Sequence, residues 1–196
     1  MNVSIIGSGY VGTTAAACLA DLGHEVVNVD IDEEVVAAIN DGTAPIHEPG
    51  LDSLVAAHGG DSLRATTEYG AFAETDVTFL ALPTPSDADG SIDLSAMRAG
   101  ARSVGEAIAE KDDYHLVVVK STVVPGTTED DLAPIIAEAA GKTESEEFGI
   151  ASNPEFLREG SAVDDFIDPD KIVLGTDGDE RALDLLRTVY TPIVDE

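Results

Sequence analysis

The chain has 196 residues, 39 of them acidic against 10 basic, a formal net charge of −29. A surface of that sign repels polyanions, which excludes nucleic acid and anionic membranes as partners, while 43% apolar residues is enough to build a core and excludes general disorder. The acidic residues are spread along the whole chain, and the Debye length in molar salt is only ~3 Å, so the composition points to a halophile's protein.

The first predicted elements carry the most chemistry. A short apolar strand, Val3 to Ile6, runs into Gly7-Ser8-Gly9-Tyr10-Val11-Gly12 and then into a helix with Val11, Ala15, Leu19 and Leu22 along one face. Strand, glycine turn and helix make the G-x-G-x-x-G arrangement of a dinucleotide site. Gly7 permits the tight turn, Gly9 has no Cβ to block a pyrophosphate, and Gly12 lets helix and strand approach closely. The helix N-terminus offers free N–H groups to phosphate. A second apolar strand (Val26, Val27, Val29) ends in Asp30, placed to accept hydrogen bonds from the adenosine ribose. A carboxylate there repels a 2′-phosphate and so favours NAD over NADP.

Next comes a helix from Asp32 to Asn40, with Asp32 as N-cap and Asp41-Gly42 as its stop. After a loop with Pro45, Pro49 and Gly50, a short helix is predicted up to Gly59-Gly60, then a weak strand from Leu63 to Thr66. Asp76 to Leu82 reads as a buried strand stopped by Pro83-Thr84-Pro85. Helical periodicity spans about Leu94 to Ala109 and again Pro125 to Ala140, with strands at Leu116–Val119 and Phe148–Ala151. Glu144, Glu146 and Glu147 read as a solvated loop. Continuous apolar strands joined by helices predict an α/β fold, a doubly wound parallel sheet with helices on both faces. In such a sheet ligands lie beyond the strand carboxyl ends, which singles out Gly7–Gly12, Asp30, Pro83–Pro85, Lys120–Thr122 and Asn153–Glu159.

Other features set limits. Cys18 is the sole cysteine and is placed on the buried side of the first helix, so no internal disulfide is expected. The N-terminus enters a strand without a basic leader, and no apolar run approaches the ~18 residues of a membrane span. A soluble, cytoplasmic protein is expected. His24, His47, His58 and His115 show no metal-ligand spacing, and no metal is expected.

The later segments Asn153-Pro154-Glu155-Phe156-Leu157-Arg158-Glu159-Gly160, Ala162-Val163 and Pro169-Asp170-Lys171-Ile172-Val173-Leu174-Gly175 closely resemble the UDP-glucose dehydrogenase family. So do the glycine turn, Glu48-Pro49-Gly50-Leu51, Pro83-Thr84-Pro85 and Lys120-Ser121-Thr122, and the resemblance covers the whole chain. It implies a Rossmann-like NAD-binding domain of an enzyme that oxidises the C6 alcohol of a sugar nucleotide twice, through a cysteine thiohemiacetal and thioester. By this resemblance Gly7, Gly9, Tyr10, Val11 and Gly12 would line the pyrophosphate, and Asp30 would hold the ribose. Leu82, Thr84 and Ser121 would border the nicotinamide half. Thr122, also beside the cofactor, would orient the water that hydrolyses the thioester. Glu155 would be the nearby carboxylate, either as a base toward that water or as an electrostatic partner. The run Glu155, Phe156, Leu157, Arg158 and Glu159 would trace one wall of the sugar site, with Glu159 also near the cofactor.

Bland alternatives stand beside these roles. Glu155 could simply offset a helix dipole after Pro154, Arg158 and Glu159 could form a surface ion pair, and Thr122 could cap the turn after its strand. Two departures from the family pattern matter. Val35 stands where members usually carry Lys or Arg. The nucleophilic cysteine, the dimer-forming helix and the second, sugar-nucleotide domain are missing, and Cys18 in the core cannot substitute. Residues 1–196 are therefore read as the cofactor domain of a larger dehydrogenase, inactive alone and dimeric only when full length, with Tyr190–Glu196 where a connecting helix would begin. Three functions remain open: a UDP-glucose 6-dehydrogenase, a GDP-mannose or UDP-N-acetylamino-sugar dehydrogenase, or a non-catalytic nucleotide-sensing module.

Overall fold

The structure, a computed structural model, describes residues 1–194. Six strands, β1 (Asn2–Ile6), β2 (Glu25–Val29), β3 (Leu63–Thr66), β4 (Val77–Leu80), β5 (His115–Val119) and β6 (Phe148–Ser152), form one sheet in the order β3-β2-β1-β4-β5-β6. Every pairing is parallel. The order reverses between β1 and β4, which opens a crevice above their carboxyl ends.

The strand sequences explain why both faces are covered. Successive side chains point to opposite faces. Val3, Ile5, Val77, Phe79, Leu116 and Val118 pack on one side with α1 (Tyr10–Asp21), α3 (Leu51–His58), α6 (Ala162–Ile167) and α7 (Glu180–Tyr190). Ile6, Val27, Val29, Leu80, Val117 and Val119 pack on the other with α4 (Ser95–Ile108) and α5 (Ala133–Ala140). A strand apolar at nearly every position can be satisfied only between two helical layers.

Helix α1 departs from the expected single apolar face: Gly12 to Ala20 are all buried. Its run of Ala15, Ala16, Ala17 and Cys18 is small enough to sit between the sheet and helices α3 and α6. Cys18 is fully buried, and burial pushes its thiol up to about 12, as a core residue requires. Helix α2 (Glu33–Asn40) starts as predicted, with the Asp32 carboxylate accepting from the amides of Glu34 and Val35 at 2.9 and 3.4 Å.

The predicted helix from Pro125 to Ala140 is divided. Residues Thr127–Leu132 wind as a wide π-type turn after Gly126, and the regular helix begins only at Ala133. Pro134, in the first turn of α5, has no amide hydrogen to continue an ordinary ladder back to Asp130. Helices α6 and α7 and a 3-10 turn at Tyr69–Glu74 lie outside the predicted elements. After α7 the chain makes a 3-10 turn at Thr191–Ile193, so the expected connecting helix has not begun there; residues 195–196 lie outside the described residues. Among the described residues no helix is long and apolar enough to cross a membrane, and no group of His, Cys, Asp and Glu could hold a metal.

One buried polar chain crosses the sheet near its amino-terminal edge. Ser4 Oγ lies 2.7 Å from Thr78 Oγ1, which lies 2.7 Å from His115 Nε2, and His115 Nδ1 lies 2.9 Å from the Thr75 carbonyl. Lys111 Nζ donates to the same Thr75 carbonyl and lies 3.2 Å from Nδ1, which closes the chain at its far end. Burial, with Lys111 close by, pushes the imidazole down to about 3.

Candidate functional site

The glycine turn is built by backbone contacts that exclude side chains. Gly7 has φ +99°, and a Cβ there would lie 2.5 Å from the Ala81 carbonyl oxygen. A Cβ on Gly12 would lie 1.9 Å from the Gly7 oxygen, so strand β1 and helix α1 could not close. Gly9 is different, because a Cβ built on it meets nothing within 4 Å. It faces a cleft of about 640 Å³ above the carboxyl ends of the strands.

The turn is held from below by a residue that sequence reasoning passed over. Asn28, fully buried within β2, donates from Nδ2 to the carbonyls of Ile5 (3.1 Å) and Gly7 (3.3 Å) and accepts from Ser8 Oγ (2.9 Å). Thr13 Oγ1 donates to the Ser8 carbonyl at 2.8 Å. The signal was present: one carboxamide interrupts the otherwise apolar run Val26-Val27-Asn28-Val29. Asp30, one residue beyond β2, is fixed by amides from two segments. Its Oδ2 accepts from Ser8 N at 2.6 Å and its Oδ1 from Asp32 N at 3.0 Å. Each oxygen keeps a further lone pair for a ligand.

The residues singled out from sequence divide between two clefts, with Gly12 and Glu159 lining neither. Gly7, Gly9, Tyr10, Val11, Asp30, Leu82, Thr84, Ser121, Thr122 and Glu155 all line the large cleft, together with Ile31 and Tyr69. Gly12 lies beneath it as packing. Ser121 Oγ donates to the Leu82 carbonyl at 2.6 Å and Thr84 Oγ1 to the Thr122 carbonyl at 3.1 Å, which joins the loops after β4 and β5. Thr122 itself is exposed.

A second cleft of about 340 Å³ opens next to the first and is lined by Glu155, Phe156, Leu157 and Arg158, with Lys120, Asn153 and Asp168–Ile172. Glu155 lines both clefts. Residues 153–158 form no helix, so Glu155 is not offsetting a helix dipole; its Oε2 accepts from Leu157 N at 2.6 Å. Arg158 does form an ion pair, but with Asp165 (2.5 Å) and not with Glu159, and the pair holds the Asp165 carboxyl well below the usual range. Glu159 sits exposed on the rim and lines neither cleft, although its charge reaches the Tyr10 phenol. Lys120 is buried against this second cleft, its ammonium donating to Asn153 Oδ1 at 3.1 Å. Burial pushes it down to about 8, with Glu155 pulling the other way.

Glu48 is the other residue whose role its sequence does not reveal, although it opens the motif Glu48-Pro49-Gly50-Leu51. It is 2% exposed, and its carboxylate accepts from Tyr10 Oη (3.0 Å), Gly160 N (3.0 Å) and Ala162 N (2.8 Å). Burial opposes its ionisation, but the two amides and the phenol outweigh that and keep its carboxyl below the ordinary range. Burial, followed by the bond to Glu48, drives the Tyr10 phenol up to about 12.

The features of the large cleft fit a dinucleotide. Gly9 leaves space where a Cβ would stand, helix α1 begins with no side-chain cap on its first turn, and a pre-oriented carboxylate closes β2. Strand order, glycine turn and Asp30 thus define a dinucleotide-binding α/β domain. The chain belongs to the UDP-glucose/GDP-mannose dehydrogenase family: the sequence model of that family's NAD binding domain matches residues 1–194. NAD is the cofactor of that domain.

Individual relatives agree. The chain is 64% identical, over 100% of its length, to UDP-glucose 6-dehydrogenase AglM of Haloferax volcanii, of which it covers 45%. The solved ternary complex of GDP-mannose dehydrogenase from Pseudomonas aeruginosa superposes with a TM-score of 0.94 at 41% identity, covering 98% of this chain and 44% of that one. A UDP-glucose dehydrogenase from Pyrobaculum islandicum gives 0.92 at 47% identity, with 98% and 44% covered. The chain therefore spans less than half the length of these relatives.

Proposed function

We propose that this chain is the cofactor half of a UDP-glucose 6-dehydrogenase, which converts UDP-glucose, two NAD and water to UDP-glucuronate and two NADH. The observation that carries the reading is Glu155, which borders both the dinucleotide cleft and the smaller cleft beside it. A carboxylate at that junction is where proton transfer between a sugar alcohol, or a water, and its surroundings would be needed. When bound, NAD supplies the hydride acceptor. The remaining work falls to the protein. The first turn of α1 holds the pyrophosphate through Gly9, Tyr10 and Val11, with Gly7 and Gly12 keeping that turn tight, and Asp30 accepts from the ribose. Leu82, Thr84 and Ser121 border the nicotinamide, with Glu159 at the rim. Thr122 and Glu155 are the catalytic pair of this half, a hydroxyl that orients water and a carboxylate that takes its proton. Phe156, Leu157 and Arg158 form the sugar wall.

The 64% identity to the Haloferax volcanii enzyme supports the choice of UDP-glucose. A GDP-mannose 6-dehydrogenase is the second reading, supported by the TM-score of 0.94 to the Pseudomonas aeruginosa enzyme. The net charge of −29 suits a cytoplasm of molar salt, where screening removes the repulsion between this surface and anionic ligands. Val35 packs against the core without offering a cation to the ribose, which costs least under those conditions. The nucleophilic cysteine, the dimer contact and most of the nucleotide-sugar site belong to a second half of the enzyme.

The test uses the full-length gene product in molar KCl with NAD and, in turn, UDP-glucose and GDP-mannose. Two NADH per UDP-glucose, and none from residues 1–196 alone, are expected. Oxidation of GDP-mannose in preference would select the second reading, and turnover by residues 1–196 alone would contradict the division of labour.

A further inference from the structure

The Glu48 carboxylate is buried, and its hydrogen-bond partners are a phenol and two backbone amides. These donors come from two separate places. Tyr10 belongs to the first turn of α1 and lines the dinucleotide cleft. Gly160 and Ala162 lie in the short stretch between two parts of the second cleft's lining, residues 153–158 and Asp165 with Phe166. The phenol reaches that wall a second time, because Tyr10 Oη also lies 2.9 Å from the Arg158 carbonyl. One ionised side chain therefore joins segments separated by more than a hundred residues, at the boundary of two clefts. An apolar residue could fill the same volume. Only an acceptor with several lone pairs can hold a phenol and two amides at once.

We propose that Glu48 is a positioning residue that fastens the wall of the second cleft to the glycine turn, so that filling the dinucleotide cleft orders residues 158–162. The inference rests on the NAD reading above. Ligand in the first cleft restricts the Tyr10 ring, the ring restricts the Glu48 carboxylate, and the carboxylate restricts the amides of Gly160 and Ala162. The wall that meets a sugar would then be set once the cofactor is in place.

The experiment is amide-resolved NMR and hydrogen exchange on residues 1–196 in molar KCl, with calorimetry to report NAD uptake separately. In the unaltered chain, NAD should shift and protect the amides of Gly160 and Ala162. In Glu48→Gln, NAD should still bind, but those two amides should no longer respond. Without ligand they should exchange about tenfold faster, the loss of one charge-assisted bond, while Leu116 and Val118 in β5 keep their protection. If Glu48→Gln does not fold, Tyr10→Phe removes the link from the other end and should abolish the same response at saturating NAD. An equal response in the variant, or none in the unaltered chain, overturns the proposal. If calorimetry shows no NAD uptake the cofactor reading falls; unchanged ligand-free exchange in Glu48→Gln would then overturn the Glu48 tie independently.

Discussion

Replacing Asn28 with valine would make β2 uniformly apolar, yet the structure requires that it weaken the chain. Asn28→Val removes two bonds to the carbonyls of Ile5 and Gly7 and the acceptor of the Ser8 hydroxyl, all in the interior. Each net bond is worth about 0.5–1.5 kcal/mol and a buried group left unpaired costs about 1–3 kcal/mol, so a loss of roughly 3 kcal/mol is expected. For a chain of this length that corresponds to about 6–12 °C in Tm. Thermal unfolding followed by circular dichroism in molar KCl measures it. Ser8→Ala in the same background removes the orphaned hydroxyl, so the double variant should lose about 1–2 kcal/mol less than the two single losses added together. Unaltered melting of Asn28→Val, or single effects that simply add, would refute the claim that this carboxamide holds the glycine turn.

The two helix-start glycines should respond in opposite ways. Gly12→Ala, whose Cβ would collide with the Gly7 oxygen, should unfold the chain or lower its melting temperature sharply; Gly9→Val should melt like the unaltered chain and fail to bind NAD, as differential scanning and calorimetry would show. His115 should remain neutral in the folded chain until about pH 3. The unfolded imidazole takes its proton near 6.5, so this group's stabilisation is complete above that value and is lost as pH falls from there towards 3, at up to about 1.4 kcal/mol per pH unit. A ring resonance that titrates near pH 6 in the folded state would contradict that assignment. Lys120, observed through its ε-methylene resonances, should titrate near 8, and Lys120→Met should leave Asn153 Oδ1 with the Tyr190 hydroxyl as its remaining donor; an ordinary lysine titration would show that the side chain is not buried against the second cleft.

The sheet and the dinucleotide cleft were legible in the sequence because each rests on local rules. Strands buried on both faces are apolar at most positions, and β3 has the bounds Leu63–Thr66 that its sequence suggested. A glycine turn between strand and helix has one geometry, and Asp32 caps α2 in its own segment. What escaped depends on distant partners. Helix α1 looked one-sided because its alanines are neutral to a periodicity argument, and only the arrival of α3 and α6 buries them. Glu48 meets residues more than a hundred positions away, so no local pattern reveals its partners. Asn28 sits in an otherwise apolar run, and a polar group there has to find partners that only the fold supplies. Arg158 has a carboxylate next to it in sequence, but the loop turns it to Asp165 across the start of α6.

Calorimetric titration of residues 1–196 with NAD in molar KCl tests the central claim most directly, with Asp30→Arg as its control. One equivalent of NAD should bind, and the heat should vanish in Asp30→Arg, in which an extended cation replaces the carboxylate held by Ser8 N and Asp32 N. No heat with the unaltered chain, or an undiminished isotherm with Asp30→Arg, would contradict the account.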